Sequence, residues 1–193
     1  FLFILFLENC GQTIDDIDAD MSASTMMELA EVKKKQKKFR EAGQIYLKVD
    51  EYYPFSDQAR FSLIEAAKSY HSASELLDLR VTAKRYVKLY PNDKDAPLAK
   101  YLIAMSYFEQ IIDVERDQGA AMDSLREFKE LVEMYPKSTY SKLAKEKFSI
   151  AVGQLAGQEM SVGRYYLKKK NPLAAMKRFQ AVVDNYPETE HFL

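Results

Sequence analysis

Residues suited to chemistry are few and scattered in this chain. Its 193 residues contain two histidines, His71 and His191, and a single cysteine, Cys10. Neither histidine has a Cys, His or carboxylate array at metal-ligand spacing, and no glycine-rich phosphate loop or G-x-S-x-G motif occurs. One cysteine leaves no disulfide framework. We therefore expect no catalytic residue, no metal site and no cofactor, and a protein that is not an enzyme.

An acidic segment near the N-terminus has the spacing of a calcium loop. Asp16, Asp18 and Asp20 alternate with other residues, as the first ligands of such a loop do. The sixth position is Met21 instead of glycine, and the twelfth is Met27 instead of glutamate. A solvated linker is the better interpretation.

Two clusters of charge remain. One is an insertion with Asp113, Glu115, Arg116 and Asp117, which fits a charged surface loop as well as an acid–base pair. The other is a basic run flanked by Glu31 and Glu41, with Lys33, Lys34, Lys35, Lys37, Lys38 and Arg40. We expect the run to straddle the turn of a helical hairpin as a solvated face. An anionic partner or lipid headgroup is the alternative.

Tyr-Pro dipeptides divide the chain into helical segments. They close four such segments, at Tyr53-Pro54, Tyr90-Pro91, Tyr135-Pro136 and Tyr186-Pro187. The residues 4, 7 and 11 positions before each tyrosine lie on one helix face. Position 4 holds Val49, Tyr86, Leu131 and Val182; position 7 holds Tyr46, Ala83, Phe128 and Phe179; and position 11 holds Ala42, Leu79, Ser124 and Ala175. Proline then ends the helix. This repeat predicts an all-α fold, a right-handed superhelix of tetratricopeptide-like helical hairpins.

In three of the four units the preceding helix carries a small residue three positions before a tyrosine, whereas the first unit has Lys33 at the aromatic position. The pairs are Ala67 with Tyr70, Ala104 with Tyr107, and Gly163 with Tyr166. A small residue at this spacing lets two helices approach closely. Residues 138–170 contain no proline and predict one long helix, with two helices joined by a tight turn as the alternative.

The N-terminus resembles the end of a bacterial lipoprotein signal. Phe1 to Leu7 is an unbroken apolar run, too short to span a bilayer, and Cys10 follows it. In such signals the cysteine is acylated, although Asn9 and Glu8 are unusual there. A frayed apolar terminus with an idle thiol is the alternative. We expect a signal segment over 1–9, an acidic tether over 10–23, and a single repeat solenoid over 24–193 with about four repeats.

Bulk composition adds only broad limits. The formal net charge is −1, with 30% charged residues. The mean hydropathy is −0.37, which fits a soluble body. No basic excess favours nucleic acid as a partner.

Several motifs together resemble the BamD family, the lipoproteins of the outer-membrane β-barrel assembly machinery. They are Tyr52-Tyr53-Pro54-Phe55, Arg85 to Pro91, Asp113 to Gln118, Phe128 to Ser138, and Ser161 to Tyr166. The insertion looks like the alphaproteobacterial form. The resemblance implies a non-enzymatic scaffold on the periplasmic face of the outer membrane, anchored by acylated Cys10. It also implies binding to the POTRA domain of the barrel-forming subunit, to other assembly lipoproteins and to unfolded outer-membrane proteins. Five repeats are implied as well, of which a truncated fifth begins at Pro187.

Two partner surfaces follow as a hypothesis from that resemblance. The N-terminal surface comprises Tyr53, Phe55, Arg60 and Tyr70 and is expected to take an extended client peptide. The alternative is that Tyr53 and Tyr70 belong to the core, which leaves only Phe55 and Arg60 accessible. The C-terminal surface comprises Arg164, Lys168 and Arg178 and is expected to meet the barrel subunit. Arg116 is a further candidate contact. A peptidoglycan-associated or division-linked periplasmic repeat adaptor is the alternative function.

Overall fold

The computed structural model describes residues 17, 20–111 and 119–189. Within these ranges it contains eight α-helices and no strand, so the predicted all-α, tetratricopeptide-like fold is confirmed. The chain divides into two compact units, Phe1–Ala73 and Ser74–Leu193. The predicted single solenoid over 24–193 stays a prediction, and residues 1–9 and most of 10–23 lie outside the described residues.

The first unit contains three helices that pack on one another. They are α1 (Ala23–Lys35), α2 (Phe39–Tyr52) and α3 (Asp57–Ser72). Ser22 starts α1 by accepting a hydrogen bond from the Thr25 amide at 3.2 Å, and Ser56 starts α3 by accepting one from the Ala59 amide at 3.0 Å. In both α1 and α3, a serine with an extended backbone is therefore the N-cap residue.

The second unit is a run of five helices. They are α4 (Leu76–Leu89), α5 (Ala96–Phe108), α6 (Gly119–Met134), α7 (Thr139–Lys168) and α8 (Pro172–Asn185). Each packs against the next, and α5 also contacts α7. Pro97 lies in the first turn of α5, and Ser138 caps α7 by accepting a hydrogen bond from the Tyr140 amide at 3.2 Å. The predicted long helix is a single helix of 30 residues, α7.

The sequence columns before each Tyr-Pro form the core. Eleven of the twelve column residues are buried, and Phe179 is half-buried. Two of the four tyrosines close their hairpins: the Tyr53 hydroxyl donates to the Met21 carbonyl and the Tyr135 hydroxyl to the Pro91 carbonyl, both at 2.8 Å. Each acceptor lies just before the hairpin's first helix. In these two hairpins the tyrosine therefore ties the end of one helix to the start of its partner.

Three tight turns between consecutive helices share one backbone geometry without glycine. Lys37, Ser74 and Lys170 follow the helix caps of α1, α3 and α7 and have φ values of 60°, 57° and 56°. After α1, the Lys38 amide donates to the Lys33 carbonyl at 2.9 Å, and after α7 the Asn171 amide donates to Tyr166 in the same way. These bonds satisfy the last carbonyls of the helix and fix the turn.

Candidate functional site

The loop between α2 and α3 presents Phe55 to solvent. Phe55 is 83% exposed and its backbone is left-handed, with φ of 63°. A bulky side chain rarely adopts this conformation. The loop is held beside it, because the Ser56 hydroxyl donates to the Tyr53 carbonyl at 2.6 Å while capping α3. The ring is therefore displayed by a fixed turn instead of being buried.

The other predicted residues of the N-terminal surface differ in accessibility. Tyr53 is half-buried, and Arg60 pairs with Asp57 at 2.9 Å one turn into α3. Tyr70 is only 3% exposed, and its ring packs where a Cβ on Gly43 would lie 2.9 Å from it. The expectation that Tyr70 lines an accessible groove is therefore wrong, because a glycine on α2 lets the ring sink into the core.

A groove between α1 and α3 was missed in the sequence. Its volume is about 690 Å³, and its lining includes Met27, Val32 and Phe61 beside Glu28, Glu31 and Lys35. Val32 and Phe61 are both nearly half exposed. The signal was present, since Glu28, Glu31, Val32 and Lys35 recur at helical spacing along α1. The first unit thus has two exposed features. One is the Phe55 loop, and the other is an apolar groove edged by Glu28, Glu31 and Lys35.

The basic run at the first turn is partly sequestered by carboxylates. Lys33 is buried and donates to Glu41 at 2.8 Å, although a solvated face was expected for the whole run. Lys34 donates to Glu31 at 2.8 Å and to Glu65 at 2.7 Å. The prediction is wrong for these two residues, because packing of α1 against α2 and α3 brings carboxylates over them. As expected, the run straddles the α1–α2 turn.

This ion network sets the charge state of its members. Burial alone would lower the pKa of Lys34, but its two carboxylate partners outweigh burial and raise that pKa. Burial alone would raise the pKa of Glu65, but hydrogen bonds from Lys34 and Lys68 hold it below its ordinary value. Hydrogen bonds from Lys34 and then Tyr46 lower the pKa of Glu31. Lys34, Glu31 and Glu65 are therefore charged near neutral pH.

A second buried ion network lies between α5 and α6. Lys100, which is buried, donates to Glu127 and to Glu130, each at 2.6 Å. Burial alone would lower the pKa of Lys100, but the two carboxylates raise it. Glu127 is buried as well, so this pair fixes how the two helices meet.

The predicted C-terminal surface spans α7 and α8. Arg164 and Lys168 are exposed on α7. Arg178 on α8 donates to both carboxylate oxygens of Glu159, at 3.2 and 3.1 Å, and Glu159 is largely buried. Arg178 is exposed but pairs with Glu159, so a substitution there would also disturb the α7–α8 contact. A substitution of Arg164 therefore tests partner binding more directly.

Close contact between α7 and α8 depends on a glycine. A Cβ placed on Gly163 would lie 2.3 Å from Cε1 of Phe179 and 2.8 Å from its Cδ1. The spacing of Gly163 and Tyr166 predicted a close approach of two helices at this glycine. The ring that occupies the space beside Gly163 is that of Phe179, on the following helix.

Cys10 and Arg116 lie outside the described residues. None of the helices in the described ranges combines the length and apolar character needed to cross a bilayer. The same ranges hold no group of three or more His, Cys, Asp or Glu side chains arranged to bind a metal ion.

These hairpins and exposed surfaces define a helical repeat protein of the tetratricopeptide type. The chain belongs to the YfiO family, described as outer membrane lipoprotein, whose model matches residues 19–192. The predicted resemblance is confirmed.

Curated relatives carry the name "Outer membrane protein assembly factor BamD". One from Caulobacter vibrioides is 36% identical over 153 residues, which cover 79% of this chain and 50% of the relative. One from Rickettsia prowazekii is 31% identical over 194 residues, covering 97% and 74%. One from Neisseria meningitidis is 26% identical over 185 residues, covering 91% and 69%. The first two come from alphaproteobacteria, in agreement with the predicted form. The chain spans half the length of the Caulobacter relative.

Proposed function

We propose that this chain is a non-enzymatic adaptor in the assembly of outer-membrane proteins. The observation that carries the proposal is the family match over residues 19–192, in a fold whose helical hairpins leave exposed side chains on both units. Repeat proteins of this kind offer extended binding surfaces. In this role the chain would sit on the periplasmic face of the outer membrane and bind the POTRA domain of the barrel-forming subunit. Other assembly lipoproteins would be further partners.

The anchor in this proposal is acylated Cys10. An apolar run followed by a lone cysteine supports it. Cys10→Ser should leave a folded protein of which much less fractionates with the outer membrane, because the variant loses all acyl chains of the anchor and with them the largest contribution to membrane attachment. Labelled palmitate that fails to enter the wild-type chain would contradict this anchor.

The first unit would bind an extended segment of a client protein around Phe55. An exposed aromatic ring on a fixed turn supplies contact area without being reordered on binding. Phe55→Ala should weaken binding of a client peptide by about tenfold or more, measured by fluorescence anisotropy. Leu77→Ala is the control, since Leu77 is an exposed apolar residue on α4. Equal loss in both variants would show that the effect is not specific to the loop.

The second unit would bind the barrel-forming subunit through the α7–α8 hairpin. Arg164→Glu should weaken binding to purified POTRA domains, mainly through a slower association rate. Lys142→Glu is the control on the same helix, because Lys142 is exposed in its first turns. Arg178→Glu is expected to do more, since it also leaves Glu159 buried beside a like charge. If Arg164→Glu and Lys142→Glu behave alike, this surface is wrong.

A further inference from the structure

The turn between α7 and α8 carries three consecutive lysines. Lys168, Lys169 and Lys170 are all exposed, and no carboxylate among the described residues forms an ion pair with them. The backbone beneath them is fixed, because the Lys170 amide donates to the Leu167 carbonyl at 2.9 Å. Three cations are thus held together on a rigid turn.

Exposed apolar side chains surround these lysines. Leu167 is 51% exposed and Leu173 is 69% exposed, on either side of the turn. Tyr165 is 55% exposed, and the Lys169 ammonium lies 5.7 Å from the centre of its ring. We call residues 165–173 the hairpin tip. It combines protruding leucines, an amphipathic tyrosine and lysines in one short segment.

We propose that the hairpin tip docks on an anionic phospholipid surface. Lysine is a hydrated point charge that responds to the collective charge of headgroups without fixed bidentate geometry. Tyrosine and leucine beside lysine are suited to the boundary between headgroups and acyl chains. A protein partner would be expected to supply carboxylates at fixed positions and a recess for each leucine. A fluid phospholipid surface accommodates a protruding tip without either.

This contact would be separate from the anchor, because the acyl chains on Cys10 would attach the N-terminal end of the chain, whereas the tip lies in the second unit. The tip adjoins the predicted partner surface, since Arg164 directly precedes it and Lys168 belongs to both. Vesicle binding and POTRA binding are therefore measured separately on the same variants.

Vesicle binding tests the proposal without any protein partner. The full chain with Cys10→Ser is mixed with vesicles of phosphatidylglycerol and phosphatidylcholine, or of phosphatidylcholine alone, and binding is measured by co-sedimentation. We expect binding to the anionic vesicles at low salt that weakens as salt rises. Replacing all three tip lysines by glutamate should weaken that binding by about a hundredfold or more. Leu173→Ser should weaken it by about tenfold.

A charge-matched control makes the outcome decisive. Lys137, Lys142 and Lys145 are exposed lysines of the same unit, and replacing them by glutamate changes the net charge equally. Retained binding in this control supports the tip. Equal loss in both triple variants, or no binding of the parent chain to anionic vesicles, overturns the proposal. So does a tip variant that binds vesicles normally but loses an acidic protein partner, which would assign the tip to a protein. Normal POTRA binding with failed vesicle binding leaves the adaptor role intact.

Discussion

Gly163 and Gly153 lie in the same helix and differ in what an added methyl group would meet. A Cβ on Gly163 would lie 2.3 Å from Cε1 of Phe179, whereas a Cβ on Gly153 would meet nothing within 4 Å. Either glycine-to-alanine change should gain about 1 kcal/mol from helix propensity. At Gly163 this gain is opposed by overpacking, which costs about 1–3 kcal/mol.

The two variants therefore separate packing from propensity. Gly153→Ala should raise the free energy of unfolding by about 1 kcal/mol. Gly163→Ala should lie about 1–3 kcal/mol below Gly153→Ala, since only the steric cost differs. Urea unfolding followed by circular dichroism measures both. Combining Gly163→Ala with Phe179→Leu should recover part of the loss, which identifies the ring as the obstacle. The reasoning is refuted if Gly163→Ala is as stable as Gly153→Ala.

Three further predictions concern stability. Lys37→Gly should stabilise the chain by about 1 kcal/mol because it relieves the left-handed backbone, whereas Lys35→Gly, at the last residue of α1, relieves no such strain and should not stabilise it; urea midpoints that rise together would contradict this. Lys100→Met should destabilise the chain by about 3 kcal/mol, because buried Glu127 loses its partner at 2.6 Å and keeps the Lys84 ammonium at 4.0 Å, and adding Glu127→Leu should restore most of the loss in the same assay. Because the pKa of Glu65 is lowered in the folded state, its contribution is present above the ordinary value of 4.5 and is lost as the pH falls through the folded pKa. Glu65→Gln should flatten that acid loss in melts between neutral and acidic pH, and an unchanged slope would refute the assignment.

The helical hairpins could be predicted from the sequence because their residue pattern is periodic. Tyrosine and proline at each helix end, with apolar residues 4, 7 and 11 positions earlier, depend only on local helix geometry. The residue that packs against Gly163 could not be predicted from this periodicity. Its neighbour Phe179 lies on the next helix, and the contact depends on how α7 and α8 cross.

The burial of charged side chains was the main feature that the sequence did not predict. Lys33 stands in a run of six basic residues and looks solvated. The structure buries it because Glu41 lies across the hairpin turn from it, and Lys34 is covered by Glu65 from α3. Tyr70 was equally undecided by sequence alone. Its burial follows from Gly43, a residue 27 positions earlier whose missing side chain makes room for the ring.

The most direct measurement of the proposed adaptor role is isolation of the tagged chain from detergent-solubilised outer membranes. Mass spectrometry and densitometry would then identify and quantify what is bound. The account predicts that the barrel-forming subunit co-purifies in near-equal amount, that Arg164→Glu reduces it and that Lys142→Glu does not. Recovery of peptidoglycan or division proteins without the barrel-forming subunit would contradict the account.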